Sequence, residues 1–196
     1  LEVWALLDAS PSMNWGTEGV TKRDLGIAAI ATIGFLTQQM GDRFGGLIMR
    51  PEKLLRIPAR SGRTALYGLL RRLLTEPIVH DHARGPFDLA SGLEAMARLQ
   101  RRRGLRVVVS DFLAPGDTEL DPAVPPDWER PLRFLGVRNQ VLCVEVVDRR
   151  EIEFPDVGDI LIRDPESDFQ RYVNTSDDAA RARFDAAARA QRERTR

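Results

Sequence analysis

Cysteine is almost missing: Cys143 is the only one among 196 residues, so no intramolecular disulfide can form and no cysteine-rich metal cluster is available. A reducing, cytoplasmic setting is the expectation. Histidine is nearly as scarce. His80 and His82 are the two present, with Asp81 between them, and without a third and fourth convergent ligand the pair reads as a surface feature rather than a zinc site. Long hydrophobic runs are lacking too. Apolar stretches such as residues 105–109 and 141–147 are far short of the roughly 18–20 residues that span a bilayer. Neither sign of charge predominates, with 29 basic against 29 acidic residues, which disfavours a globally basic nucleic-acid binder and gives no long-range attraction to an anionic membrane. Neither Gly-x-x-x-x-Gly-Lys-Ser/Thr nor Gly-x-Gly-x-x-Gly occurs, so the usual glycine-rich nucleotide cradles are unsupported. Leu1 opens inside an apolar run with no initiator Met and no signal-peptide pattern. The sequence therefore reads as part of a longer protein in which an anchor could precede Leu1.

What is present is ordinary for a folded protein: 43% hydrophobic and 30% charged residues, at a length that suits one compact domain. Residues 3–7 form a short continuous apolar run ending at Asp8, the pattern of a buried strand entering a loop. From Thr21 the period becomes helical, with Leu25, Ala28, Ala29, Thr32, Ile33, Leu36 and Met40 on one face and Gly41 as the stop. Residues 44–49 and 54–57 read as two strands across Pro51. A helix over 64–74 places Leu66, Leu69, Leu70, Leu73 and Leu74 together, and another places Leu89, Leu93, Met96, Ala97 and Gln100 together, closed by Arg101 to Arg103 and a left-handed Gly104. Residues 105–109 show no alternation, as expected of a parallel strand covered on both faces. A proline-rich loop, a short helix over 127–137 and an apolar strand over 140–147 follow, the last burying Cys143. Residues 160–162 and 171–173 pair as a hairpin around 166–169, and Thr175 to Asp178 cap a final helix over 179–194. Alternating strands and helices predict an α/β fold with a mostly parallel central sheet and helices on both faces. The expected layout is a core over 1–148 with the hairpin and helix of 149–196 appended.

Open α/β sheets bind ligands at the carboxyl ends of their strands, which singles out Asp8 and Asp111. Asp8 begins the set Asp8-Ala9-Ser10-Pro11-Ser12. One carboxylate and two hydroxyls from a loop, with a second carboxylate from another strand, supply hard oxygen ligands and leave coordination incomplete, which suits Mg²⁺. Spacing alone leaves open the alternative that Asp8 and Ser10 only satisfy backbone groups of a turn.

The run Leu7-Asp8-Ala9-Ser10-Pro11-Ser12-Met13 resembles the metal-ion-dependent adhesion site of von Willebrand factor A domains, and more closely the bacterial family known as domain of unknown function 58. Matching segments include Gly41-Asp42-Arg43, Asp88-Leu89, Val109-Ser110-Asp111-Phe112-Leu113, Val147-Asp148 through Arg150-Glu151, Phe154-Pro155-Asp156-Val157-Gly158 and Asp164-Pro165-Glu166. The resemblance implies a Rossmann-like A-domain sandwich and a Mg²⁺ (or Mn²⁺ or Ca²⁺) site made by Asp8, Ser10, Ser12 and Asp111. It also implies a non-enzymatic, protein-binding adaptor partnered by a MoxR-type AAA+ ATPase or its client. One position departs: the family's threonine before the middle helix is replaced within Gly85-Pro86-Phe87-Asp88-Leu89, where Phe87 cannot ligate a metal. Asp88 either takes over as ligand or caps the helix. Changes at Arg149 and at Ser167-Asp168 read as surface drift.

Two other functions compete. Asp8 after a strand also fits an aspartyl nucleophile for phosphoryl transfer or hydrolysis, but the phosphatase pattern wants an aspartate where Ser10 stands. A receiver-type site wants a lysine, and the only ones, Lys22 and Lys53, are not at a late strand end. Alternatively the metal site is degenerate, and recognition runs through the arginine-rich stretch 181–196 and through Trp15, an aromatic anchor beside the Asp8 loop.

Overall fold

The computed structural model describes residues 1–17, 19–37, 41–78, 85, 87–99, 102–113, 124–164 and 169–195. His80, Asp81 and His82, Met40, Pro86, Gln100, Arg101, Ser167 and Asp168, most of the proline-rich loop and most of the hairpin turn fall outside them. Five strands, β1 (Glu2–Asp8), β2 (Arg43–Arg50), β3 (Lys53–Ser61), β4 (Leu105–Ser110) and β5 (Gln140–Glu145), form one sheet in the order β3-β2-β1-β4-β5. The β1–β2, β1–β4 and β4–β5 pairs are parallel, and only the β2–β3 hairpin is antiparallel. The protein is thus a mixed α/β fold with a mostly parallel sheet.

Period-two alternation on β1 divides the core. Val3, Ala5 and Leu7 face one side, where Ile27 and Ile30 of α1 (Lys22–Leu36) and Leu66, Leu69 and Leu73 of α2 (Arg63–Thr75) cover them. Trp4 and Leu6 face the other, under Leu89, Leu93 and Met96 of α3 (Leu89–Leu99) and Leu135 of α4 (Glu129–Gly136). A separate two-stranded sheet, β6 (Asp159–Arg163) with β7 (Gln170–Asn174), precedes α5 (Asp178–Arg194), whose N-cap is Asp177. Phe184 of α5 stacks on Phe154 with ring centroids 3.6 Å apart.

Four expectations need correction. The face of α1 is the first: Leu25 and Leu36 are exposed, and Lys22, Arg23, Gly26, Ile27, Ile30 and Gly34 point inward. Two glycines explain it. A Cβ on Gly34 would stand 2.6 Å from Leu66 Cδ1, and one on Gly26 would stand 3.0 Å from Val109, so the helix backbone lies against the layer beneath it along a line a hydrophobicity count ignores. Leu74 is likewise exposed, one position beyond the Leu66-Leu69-Leu73 stripe. Cys143 is exposed because β5 is an edge strand, its burial mixed rather than continuous. Gly104 does not adopt a left-handed conformation; it is required because a Cβ would fall 2.0 Å from the Glu2 carbonyl oxygen.

Candidate functional site

Strand register assembles the site. Leu7 pairs with Val109, so the next residues, Asp8 and Ser110, lie side by side at the carboxyl ends of the two central strands. Ser110 Oγ donates to Asp8 Oδ2 at 2.6 Å, and the Ser10 amide donates to Asp8 Oδ1 at 2.9 Å. Pro11–Asn14 then winds one 3-10 turn that brings the Ser10 and Ser12 hydroxyls to 3.1 Å from each other. Asp111 follows Ser110 and turns to the opposite face, toward α1. There its Oδ2 accepts from Lys22 Nζ at 2.8 Å, while Oδ1 accepts from the Leu113 amide at 3.2 Å.

Lys22 is the residue that sequence reasoning set aside and the structure brings in. Its side chain is 1% exposed, and its ammonium also pairs with Glu151 Oε1. Glu151 belongs to a 3-10 turn, Arg149–Glu151, capped by Asp148. Asp148 in turn accepts from the Thr17 amide at 2.9 Å and from its hydroxyl at 2.6 Å, tying the turn to the loop after Ser12. Lys22 comes from the start of α1 rather than from a late strand. One signal for it was available: Thr21 and Asp24 form a capping box, fixing Lys22 as the first helical residue beside the loop.

Electrostatics follow from burial. Asp8 is 3% exposed, and desolvation together with the nearby Asp111 charge pushes its carboxyl up to about 7 against the pull of Ser110 and Ser10. Burial also raises Glu151, which Asp111 reinforces and Lys22 opposes. For Lys22, burial disfavours the ammonium, but Asp111 and Glu151 together outweigh it and hold the group above the ordinary lysine value. Desolvation would raise Asp148 as well; the hydrogen bonds from Thr17 and Arg150 prevail and lower it.

Phe112, directly after Asp111, has φ of 57°, a left-handed conformation unusual for a bulky residue. The ring is buried and meets Trp128 edge to face at 5.3 Å, and Trp128 Nε1 donates to the Phe112 carbonyl at 3.3 Å. Packing thus holds a strained residue where the Asp111 backbone must turn.

The structure joins Asp8, Ser10 and Ser12 at one strand end, with Asp111 at the next strand end near enough for its charge to act on Asp8. Asp88 is placed elsewhere in the hydrogen-bond network: its Oδ1 accepts from the Ser91 amide at 2.8 Å, and its own amide donates to Ser91 Oγ at 2.8 Å, a reciprocal cap on α3. Phe87 packs against the core on the α3 side. Trp15 is 42% exposed beside the loop, and the Lys22 amide donates to its carbonyl at 2.9 Å. Among the described residues, no group of three or more His, Cys, Asp or Glu side chains is arranged to hold a metal. A cation here depends on the hydroxyls. Their 3.1 Å separation is close to the edge of a Mg²⁺ octahedron, about 2.9 Å for ligands at 2.0–2.1 Å.

The family model described as "Protein of unknown function DUF58" matches residues 1–194. The chain belongs to the DUF58 family. Uncharacterized proteins of Mycobacterium tuberculosis and Mycobacterium bovis are each 42% identical to it over 192 residues, covering 98% of this chain and 56% of theirs. This DUF58 chain therefore spans about half the length of those curated relatives. Two solved structures share its fold. An aerotolerance-related membrane protein from Bacteroides fragilis has TM-score 0.58 at 14% identity, covering 96% of this chain and 88% of its own. The conserved hypothetical protein BatB from Bacteroides thetaiotaomicron has TM-score 0.54 at 12% identity, covering 96% and 87%. No helix among the described residues is long and apolar enough to cross a membrane.

Proposed function

We propose that this chain is a von Willebrand factor A-type protein-interaction module that holds a divalent cation at the end of its sheet and uses it to capture an acidic group on a protein partner. The observation that carries this reading is the pair of hydroxyls, Ser10 and Ser12, 3.1 Å apart beside Asp8 at the carboxyl end of a central parallel strand, with Asp111 at the end of its neighbour. Ser10, Ser12, Asp8 and Asp111 would hold Mg²⁺, directly or through water, and the cation would supply an electrophilic point for a partner carboxylate. Asp88 stays with α3. Exposed Trp15 beside the loop gives the partner an aromatic anchor. The family resemblance extends the proposal to an adaptor that works with a MoxR-type AAA+ ATPase in the assembly or activation of other proteins, in the cytoplasm.

Lys22 favours a second reading, phosphoryl transfer from Asp8, because a buried lysine does reach the site. Two features make it the weaker one. Lys22 pairs with Asp111 rather than Asp8, and both Asp8 oxygens already accept hydrogen bonds. Recognition through α5 alone is also less well supported, since Arg192 pairs with Glu145 at 3.5 Å and Arg194 donates to the Val124 carbonyl at 3.0 Å.

Calorimetric titration of Mg²⁺ into wild type and Asp8→Ala tests the proposal. Heat in wild type that disappears in the variant is expected. Equal heats, or none in either, remove the metal from the account. Incubation with acyl or aryl phosphates addresses the second reading, and Asp8-dependent turnover would establish it in place of the first.

A further inference from the structure

Lys22 neutralises the carboxylate that a cation at this site would use. Its ammonium is almost fully buried, touches Asp111 Oδ2 at 2.8 Å and pairs with Glu151 on the far side. Burying an ammonium is unfavourable unless charged partners compensate, and here two carboxylates do so. The local balance is nevertheless incomplete. Asp111 and Glu151 share the one lysine, and Asp8, at the adjoining strand end, accepts from the Ser110 hydroxyl and the Ser10 amide. The cluster therefore has one cation built in and an attraction for another.

We propose that Lys22 is a tethered competitor for the divalent cation, occupying Asp111 when the site is free and yielding it when the metal enters. This rests on the cation-binding reading above. Glu151 is what makes the exchange feasible: Nζ can leave Asp111 and keep a carboxylate partner, because Glu151 is fixed independently. The Asp148 amide donates to Glu151 Oε2 at 3.1 Å, and Thr17 holds Asp148. Ser10, Ser12 and the freed Asp111 oxygen would then hold the metal, directly or through water. Competition of this kind keeps intrinsic affinity low. Stable occupancy then needs an additional acidic ligand from the partner, so metal and partner bind cooperatively.

The test is Mg²⁺ titration into metal-free wild type, Lys22→Gln, Lys22→Arg and the Asp8→Ala/Lys22→Gln double variant. Removing the ammonium is expected to tighten Mg²⁺ binding about tenfold or more, by deleting a like charge within a few ångströms of the cation. Lys22→Arg keeps the charge and is expected to show no gain, and the double variant to lose the gain. Asp8-dependent binding in wild type with equal or weaker binding in Lys22→Gln overturns the competitor role and leaves the cation site standing. Absence of Mg²⁺ binding in both wild type and Lys22→Gln overturns both. Thermal unfolding gives a second readout: about 10 mM Mg²⁺ raises the melting temperature of Lys22→Gln more than that of wild type. Should Lys22→Gln unfold without metal, refolding on addition of Mg²⁺ supports the competitor role, and failure to refold overturns it.

Discussion

Replacing Asp8 by asparagine should stabilise the cation-free protein, and increasingly so as pH rises. Asp8 is raised from 3.8 to about 7 by burial and by Asp111. Between these values the folded chain holds a proton that the unfolded chain has released, so unfolding loses free energy with increasing pH. A raised carboxyl thus costs nothing in strong acid, begins to cost near pH 4 and reaches its full penalty above about pH 7. The whole shift of about three units corresponds to about 4 kcal/mol. About 2–3 kcal/mol of it develops between about pH 5 and pH 8. Asparagine keeps the shape and removes the charge. Its carbonyl accepts from the Ser10 amide as Oδ1 does, and its amide donates to Ser110 Oγ, whose hydroxyl rotates to accept. Urea unfolding of wild type and Asp8→Asn, with a chelator present, measures the difference at both pH values. A stability gap that widens by about 2–3 kcal/mol at the higher pH is expected. A gap that stays constant within about 0.5 kcal/mol would refute the claim that Asp8 is a destabilised, buried acid. The same penalty is what a bound cation would relieve, so the widening should shrink in saturating Mg²⁺.

Two further predictions concern the scaffold. Glu76, its side chain 1% exposed, meets Arg50 at 3.0 Å, Lys53 at 3.3 Å and Arg72 at 2.9 Å; burial opposes its charge, but these partners prevail and lower its carboxyl below the usual value. Glu76→Gln should cost about 2–3 kcal/mol near neutral pH, less than a fully buried pair because Lys53 and Arg72 stay solvated. A depressed acid stabilises above its unfolded value and loses that contribution in acid, so the cost should fall by about pH 3; an unchanged cost in urea unfolding would contradict it. Gly68 and Gly34 form a matched pair on α2 and α1. A Cβ on Gly68 meets nothing within 4 Å, so Gly68→Ala should stabilise by about 1 kcal/mol, a rise of about 2–4 °C in melting temperature. Gly34→Ala has the same helical gain, but its methyl would sit 2.6 Å from buried Leu66, and overpacking of about 1–3 kcal/mol should make it neutral or destabilising. Equal gains at both positions would show that α1 does not pack so closely.

Much of the architecture was legible because local signals are strong there. The continuous apolar run over 3–7 marked β1 as a buried strand, the lack of alternation over 105–109 marked β4 as covered on both faces, and Asp8 and Asp111 were recognisable as strand-end residues from those stretches alone. Capping chemistry announced the start of α5, and the change to a helical period at Thr21 that of α1. The inward face of α1 was not legible. Glycines there win the buried stripe by permitting close approach, a property of the surface they meet rather than of their own hydrophobicity. Lys22, set aside because it does not end a late strand, lies on that same inward face. Ser110 was likewise invisible as a partner of Asp8 until the β1–β4 register set them side by side.

By itself the sequence determined the order of elements, their strand or helix character and the carboxylates at the strand ends, because each depends on neighbours within a few positions. Tertiary structure alone decided which of those carboxylates is held by a cation and which is left buried without one. Lys22 and Asp111 are 89 positions apart, and Lys22 and Glu151 are 129 apart. No local pattern encodes such pairings. They follow from the packing of α1 against the sheet and of the 148–151 turn against the loop after Ser12, and the same packing excludes the water that would otherwise screen them.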